Sequence, residues 1–150
     1  MTVSCIGITG QLEELTKLSE AVAFRMTVVR DEIHRQIAGP RSRRETMNLI
    51  IDELWRRYEY RRDPLEERYV LPRAGDLYVD VEGACLFVVA VAKGFGIRCR
   101  FVMARYDRAS WTLYVAYENE EGLWLNLSVL RQKTDQVPNE LVMGPIPGDG

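Results

Sequence analysis

The sequence predicts an α+β domain, and three observations carry the prediction. Apolar residues recur at intervals of three and four through residues 12–37 and again through 47–58, the period of one helix face. Residues 86–92 form an unbroken apolar run, Leu86-Phe87-Val88-Val89-Ala90-Val91-Ala92, as expected of an element buried on every side. From 97 to 129 the period falls to two, and polar turn segments cut the stretch into pieces of hairpin length. Helices first and strands afterwards, without regular alternation, predict helices packed on one face of an antiparallel sheet.

The chain of 150 residues, 47% of them hydrophobic, is long enough for one core without staples. Lys and Arg (20) nearly balance Asp and Glu (22), a formal charge of -2 that supplies no overall field for nucleic acid or membrane. The cysteines Cys5, Cys85 and Cys99 are odd in number and widely spaced, which suggests neither a disulfide framework nor a zinc site and fits a reducing compartment. The N-terminal residues lack the basic and apolar regions of a signal peptide, and no apolar stretch is long enough for a membrane span. The expectation is a soluble chain that is not secreted and needs no cofactor.

Residues 2–10 alternate weakly and read as a short strand or extended arm. Leu15, Leu18, Val22, Met26, Val29, Ile33 and Ile37 then mark one long amphipathic helix, with Ser19 the expected position of any break. Gly39-Pro40 ends it, and Ser42-Arg43-Arg44-Glu45 is a capping box for a second helix whose buried stripe is Met47, Ile50, Ile51, Leu54, Trp55 and Tyr58. Residues 63–83 read as an irregular segment. Beyond the apolar run, 97–106, 111–117 and 123–129 are three consecutive antiparallel strands, with Ile97, Cys99, Phe101 and Met103 on one face. The domain is thereby drawn as 1–130. Residues 131–150, with Pro138, Pro145 and Pro147, read as an extended tail that becomes ordered against a partner.

Two surface features invite functional readings. Arg41, Arg43, Arg44, Arg56, Arg57, Arg61 and Arg62 could form a phosphate-binding face, but Asp52, Glu53, Glu59, Glu66 and Glu67 lie among them, and a solvated helix face is the expectation. Trp55, Trp111 and Trp124, with Tyr58, Tyr60, Tyr106, Tyr114 and Tyr117, could make a stacking platform, but they fall at helical and strand periods and read as core or interface residues.

The chemistry-bearing stretch is Gly83-Ala84-Cys85. A cysteine at the start of a buried helix would meet unpaired N–H groups and the positive end of the helix dipole, which favour a thiolate. A nucleophile also needs a base. The single histidine, His34, falls on the first helix between Ile33 and Arg35 and reads as a surface or half-buried residue unless the fold brings it to Cys85.

Ile50-Ile51-Asp52-Glu53-Leu54-Trp55, with Tyr58-Glu59-Tyr60-Arg61-Arg62-Asp63-Pro64 and Glu67, resembles the approach segment of transglutaminase-like proteins, of papain-like cysteine fold, carried by tailed bacteriophages and prophages. Pro72-Arg73-Ala74 and Gly83-Ala84-Cys85 stand where that family has a proline-containing loop and Gly-Asp-Cys, and Gly94-Phe95-Gly96-Ile97-Arg98-Cys99-Arg100-Phe101 is similar to the segment that follows. The match covers roughly residues 45–129. It implies a transglutaminase-like core and the chemistry of acyl transfer or amide hydrolysis, in which a thiolate attacks, a histidine shuttles the proton and an aspartate orients the imidazole.

Carried onto this chain, the resemblance places the nucleophile at Cys85, the histidine position at Thr112 and the aspartate position at Ser128. Asn126 could orient an imidazole, but none stands at 112, and threonine accepts no proton near neutral pH. The triad therefore reads as degenerate, and Cys85 as a small buried hydrophobe. The favoured expectation is a structural or assembly protein of a tailed phage virion, working with other protein subunits in an oligomeric assembly, in the virion or the host cytoplasm. Membrane is not expected as a partner, and nucleic acid is the least favoured one. The alternative is an active cysteine acyltransferase or peptidase that finds a base elsewhere.

Overall fold

The computed structural model describes residues 5–36, 39, 41–61, 78–106, 111–131 and 138–147. Its first helix, α1 (Cys5–Arg25), takes in residues 5–10 of the stretch expected to be a strand or arm, whose first residues lie outside the described ones. The reason is that Ile8, Leu12 and Leu15, all buried, continue one helical stripe toward the N-terminus. Over residues 5–10 the weak alternation is outweighed by tertiary burial. A single residue, Met26, separates α1 from α2 (Thr27–Gln36), so the break lies there and not at Ser19.

Side-chain chemistry accounts for that position. Ser19 Oγ donates to Thr16 O at 2.7 Å and leaves the helix intact, whereas Thr27 Oγ1 donates to both Phe24 O (2.8 Å) and Ala23 O (3.4 Å). A hydroxyl competing for those carbonyls bends a helix. The ladder resumes on either side, with Met26 N donating to Val22 O and Arg30 N to Met26 O. Val29 and Ile33 therefore stay on the same buried face. Ile37 lies outside the described residues. Gly39 holds a φ of 111°, the left-handed conformation for which a glycine exit is suited.

Helix α3 (Arg43–Arg57) begins at the expected capping box: Glu45 N donates to Ser42 Oγ at 3.1 Å, and Ser42 Oγ donates back to Glu45 Oε1 at 3.2 Å. Thr46, Met47, Ile50, Ile51 and Leu54 form its buried stripe. A short parallel pair, β1 (Glu59–Tyr60) and β2 (Tyr78–Val79), joins its end to the entrance of α4 (Val81–Gly94). The segment expected to be irregular as far as Gly83 thus gives way to strand at Tyr78 and helix at Val81; residues 62–77 lie outside the described ones. Asp80 caps α4 by accepting from Gly83 N at 2.7 Å.

The sheet contains β3 (Cys99–Arg105), β4 (Thr112–Glu118), β5 (Trp124–Leu127) and β6 (Glu140–Met143), in the order β5-β4-β3-β6, every pair antiparallel. The three-strand meander is as the sequence predicts. The fourth strand is not: Glu140–Met143 was expected in a tail outside the domain, but it lies along β3, with Met143 opposite Val102 and Glu140 opposite Arg105. Arg105 pairs with Glu140, Arg100 Nε donates to Gly144 O at 2.8 Å, and Val142 packs on the core. These contacts hold the segment within its own chain.

The sheet has two unlike faces. Cys99, Phe101, Met103, Leu113, Val115 and Tyr117 join the main core, against which α1 and α4 pack. Val102, Ala104, Tyr114 and Ala116 form a separate small cluster on the opposite face, with Tyr106 and Trp124 against it. Helix α4, buried throughout residues 83–92, is the centre of the molecule and touches α1, α2, α3, β3 and β4. The architecture is α+β with an antiparallel sheet.

Candidate functional site

Cys85 is on α4, but a full turn inside it. With Asp80 as N-cap, Val81 opens the helix and Cys85 is its fifth residue, past the amides that lack intrahelical partners. The fold therefore removes the feature that pointed to a thiolate. Asp80 already takes up the amide of Gly83 and brings a carboxylate to the end of the helix where a thiolate would have been stabilised. The Asp80-Val81-Glu82-Gly83 sequence carries that cap signal, an acceptor side chain three residues ahead of the amide it binds.

The electrostatics run against ionisation. Cys85 is fully buried, and that desolvation, followed by the negative charges of Glu82 and Asp80, pushes its thiol well above the ordinary value. Cys99, on β3, is pushed up to about 12 by burial as well. Both are free thiols.

Thr112 opens β4 directly opposite Ala104. Directly opposed residues share a face, and Ala104 belongs to the cluster on the side of the sheet away from α4. Thr112 and Cys85 are thus separated by the sheet. The helix side at this end of β4 is taken by Trp111, which packs on the main core with Arg105 Cζ 5.3 Å from its ring centre. Ser128 follows β5 and accepts from Arg131 N through its carbonyl at 3.0 Å; the next residue, Val129, is buried and accepts from Trp55 Nε1 at 2.8 Å. Asn126, opposite Ala116, is on the outer face with Thr112.

His34 does not reach Cys85. It is exposed on α2 and its ring stacks on Phe95, the C-cap of α4, at 5.1 Å. Cys85 and Phe95 are ten residues apart on one helix, or roughly 15 Å along its axis. Neither Thr112 nor His34 is brought to Cys85, and none of Cys85, Thr112, Ser128 and His34 lines a described cavity.

Four of the arginines singled out in the sequence, Arg43, Arg56, Arg57 and Arg61, make contacts within the fold; Arg62 lies outside the described residues. Arg43 Nη1 donates to Glu118 O (2.9 Å) and Asn119 O (3.0 Å), fastening the start of α3 to the β4–β5 turn. Arg56 pairs with Glu53, Arg57 with Glu32 (2.9 Å) and Glu53 (3.5 Å), and Arg61 Cζ sits 5.3 Å from the ring centre of Tyr78. The aromatics are similarly absorbed: Tyr58 meets Phe87 edge to face at 5.7 Å, and Trp124 lies under Arg98 and Arg100. Among the described residues, no group of three His, Cys, Asp or Glu side chains could hold a metal ion, and no helix is long and apolar enough to cross a membrane.

Neither a family model, nor a curated protein, nor a solved structure matches this chain.

Proposed function

We propose that this chain is a non-catalytic structural or assembly protein of a tailed phage particle, built on a transglutaminase-like core whose triad has degenerated. The observation that carries the non-catalytic half is the separation of a sealed Cys85 from Thr112 by the sheet. A thiol with no exposed surface and a raised pKa supplies almost no thiolate at neutral pH, and no imidazole stands beside it. The assignment to a phage particle rests on the resemblance of residues 45–129. The C-terminal segment lends this reading no support, since β6 is paired within the chain itself.

Nucleic acid is disfavoured as a partner because Asp52 and Glu53 lie among the arginines of α3 and the chain has no net positive charge.

The test has two arms. Alkylation of the native protein at neutral pH should leave Cys85 unmodified until denaturant is added, and the wild type should match Cys85→Ala on glutamine and ester substrates. Mass spectrometry of particles purified from cells expressing the chain should find it at stoichiometric level. Turnover abolished by Cys85→Ala would establish the enzyme reading instead, and particles lacking the chain would refute the assembly role.

A further inference from the structure

The outward face of α1 and α2 carries a pattern that the core does not explain. Phe24 is 86% exposed and Val28 69%, the two most exposed large hydrophobic residues described, and they are neighbours one turn apart. Glu13, Lys17, Glu20, Asp31 and Arg35 continue their row at intervals of three and four, all of them exposed. Val22, Met26, Val29 and Ile33 are buried on both sides of the break, so the two helices keep one face inward and the row runs along the face opposite it.

Four of its five charges are arranged symmetrically about Phe24 with opposite signs. Lys17 and Asp31 lie seven residues to either side of Phe24, and Glu13 and Arg35 eleven to either side. When two such helices run antiparallel about a two-fold axis at Phe24, Lys17 of each faces Asp31 of the other, and Glu13 faces Arg35. Glu20 then lies beside Val28, its methylenes on the apolar side chain. Phe24 is itself part of the wall of an open groove of about 330 Å³ between α1–α2 and α4, with Ala23, Thr27, Arg30, Ala90, Lys93 and Gly94, where the ring of a second molecule's Phe24 can pack against it. The walls are helical, with backbone groups already bonded, so recognition falls to side chains as in other helix-in-groove contacts.

We propose that a second copy of this chain docks on this face, with α1–α2 antiparallel to its counterpart about a two-fold axis at Phe24. The self-complementary charge row singles out a second copy over an unrelated partner, because an isologous interface requires a patch that matches itself under rotation. The inference goes beyond the reading of Cys85 and uses none of the same residues, so either can fail alone.

Sedimentation equilibrium of the full chain over roughly a hundredfold range of concentration should show a monomer–dimer equilibrium. Phe24→Asp, which sets two carboxylates on the axis, should abolish it. Lys17→Glu and Asp31→Lys should each weaken the dimer roughly tenfold, since symmetry makes every substitution count twice. The double variant K17E/D31K, with the pairs rebuilt in reverse, should return to within about threefold of wild type. Circular dichroism checks that these exposed substitutions leave the fold intact. A wild type that stays monomeric, single variants that dimerise like wild type, or a double variant as weak as the sum of its singles would each overturn the proposal.

Discussion

Gly144 lies directly against Leu12. Its amide donates to Phe101 O at 2.8 Å, and a Cβ on it would come within 3.1 Å of both Leu12 Cβ and Phe101 O. The C-terminal segment thus passes through a gap sized for glycine between α1 and β3. Gly144→Val should cost roughly 1–3 kcal/mol by overpacking that gap. Truncation after Arg131 should be worse, because it strips the edge of β3 of its ladder and uncovers core packed beneath Val142. Urea titration followed by circular dichroism measures both. A truncated chain with an unchanged midpoint would show that β6 contributes nothing to the domain.

The elements with a strong local signal were legible in the sequence, and those fixed by distant partners were not. The stripe Val22, Met26, Val29 and Ile33, the Ser42 box and the alternation of Cys99, Phe101 and Met103 each follow from neighbours within a turn or a hairpin. Strand β6 has no such signal; four residues flanked by prolines become a strand only because β3 offers an open edge. The candidate site failed at the scale of one residue. In a strand, a shift of one moves a side chain through the sheet, and locating a histidine position by pattern does not fix its face. Cys85 was placed on the correct helix, but Asp80 moved the helix start and left the sulfur a turn deeper.

The face of Thr112 predicts that rebuilding the triad as the resemblance locates it will fail. Thr112→His with Ser128→Asp should yield a folded protein without detectable ester or amide hydrolysis, because the imidazole would stand with Ala104 on the side away from α4. The informative comparison is the same double variant with Cys85→Ala added. Hydrolysis in the first that disappears in the second would mean that the imidazole reaches the sulfur and that the strand assignment is wrong.

Two of the ties at the start of α3 should be separable, while a third, Arg43 N donating to Glu120 Oε1 at 3.0 Å, survives substitution of either side chain. Ser42→Ala removes the acceptor of the Glu45 amide and should cost about 1 kcal/mol. Arg43→Ala leaves the box in place but removes the guanidinium that donates to the Glu118 and Asn119 carbonyls of the β4–β5 turn, Asn119 O keeping only its bond from Gly122 N. It should therefore raise hydrogen exchange in that turn, while Ser42→Ala raises it in the first turn of α3. Identical exchange patterns for the two variants would contradict this division.

The buried thiols make stability fall on the alkaline side. In the unfolded chain Cys99 titrates near the ordinary value of about 8.5, whereas in the fold burial holds it protonated up to about 12. Between those values the folded state binds the extra proton, so its stability is complete below the unfolded pKa and is lost as pH rises toward the folded one. The slope for this single group approaches about 1.4 kcal/mol per pH unit, and Cys85, also raised, acts in the same direction. Cys99→Ala should lower stability slightly at pH near 7 through lost packing, yet flatten the decline above about 9 because one of the protons held by burial is no longer at stake. Urea midpoints at a series of pH values separate the two effects. If wild type and Cys99→Ala declined in parallel, the sulfur of Cys99 would be titrating as freely in the fold as in the unfolded chain, and its place beneath α1 and α4 on the inner face of β3 would have to be abandoned.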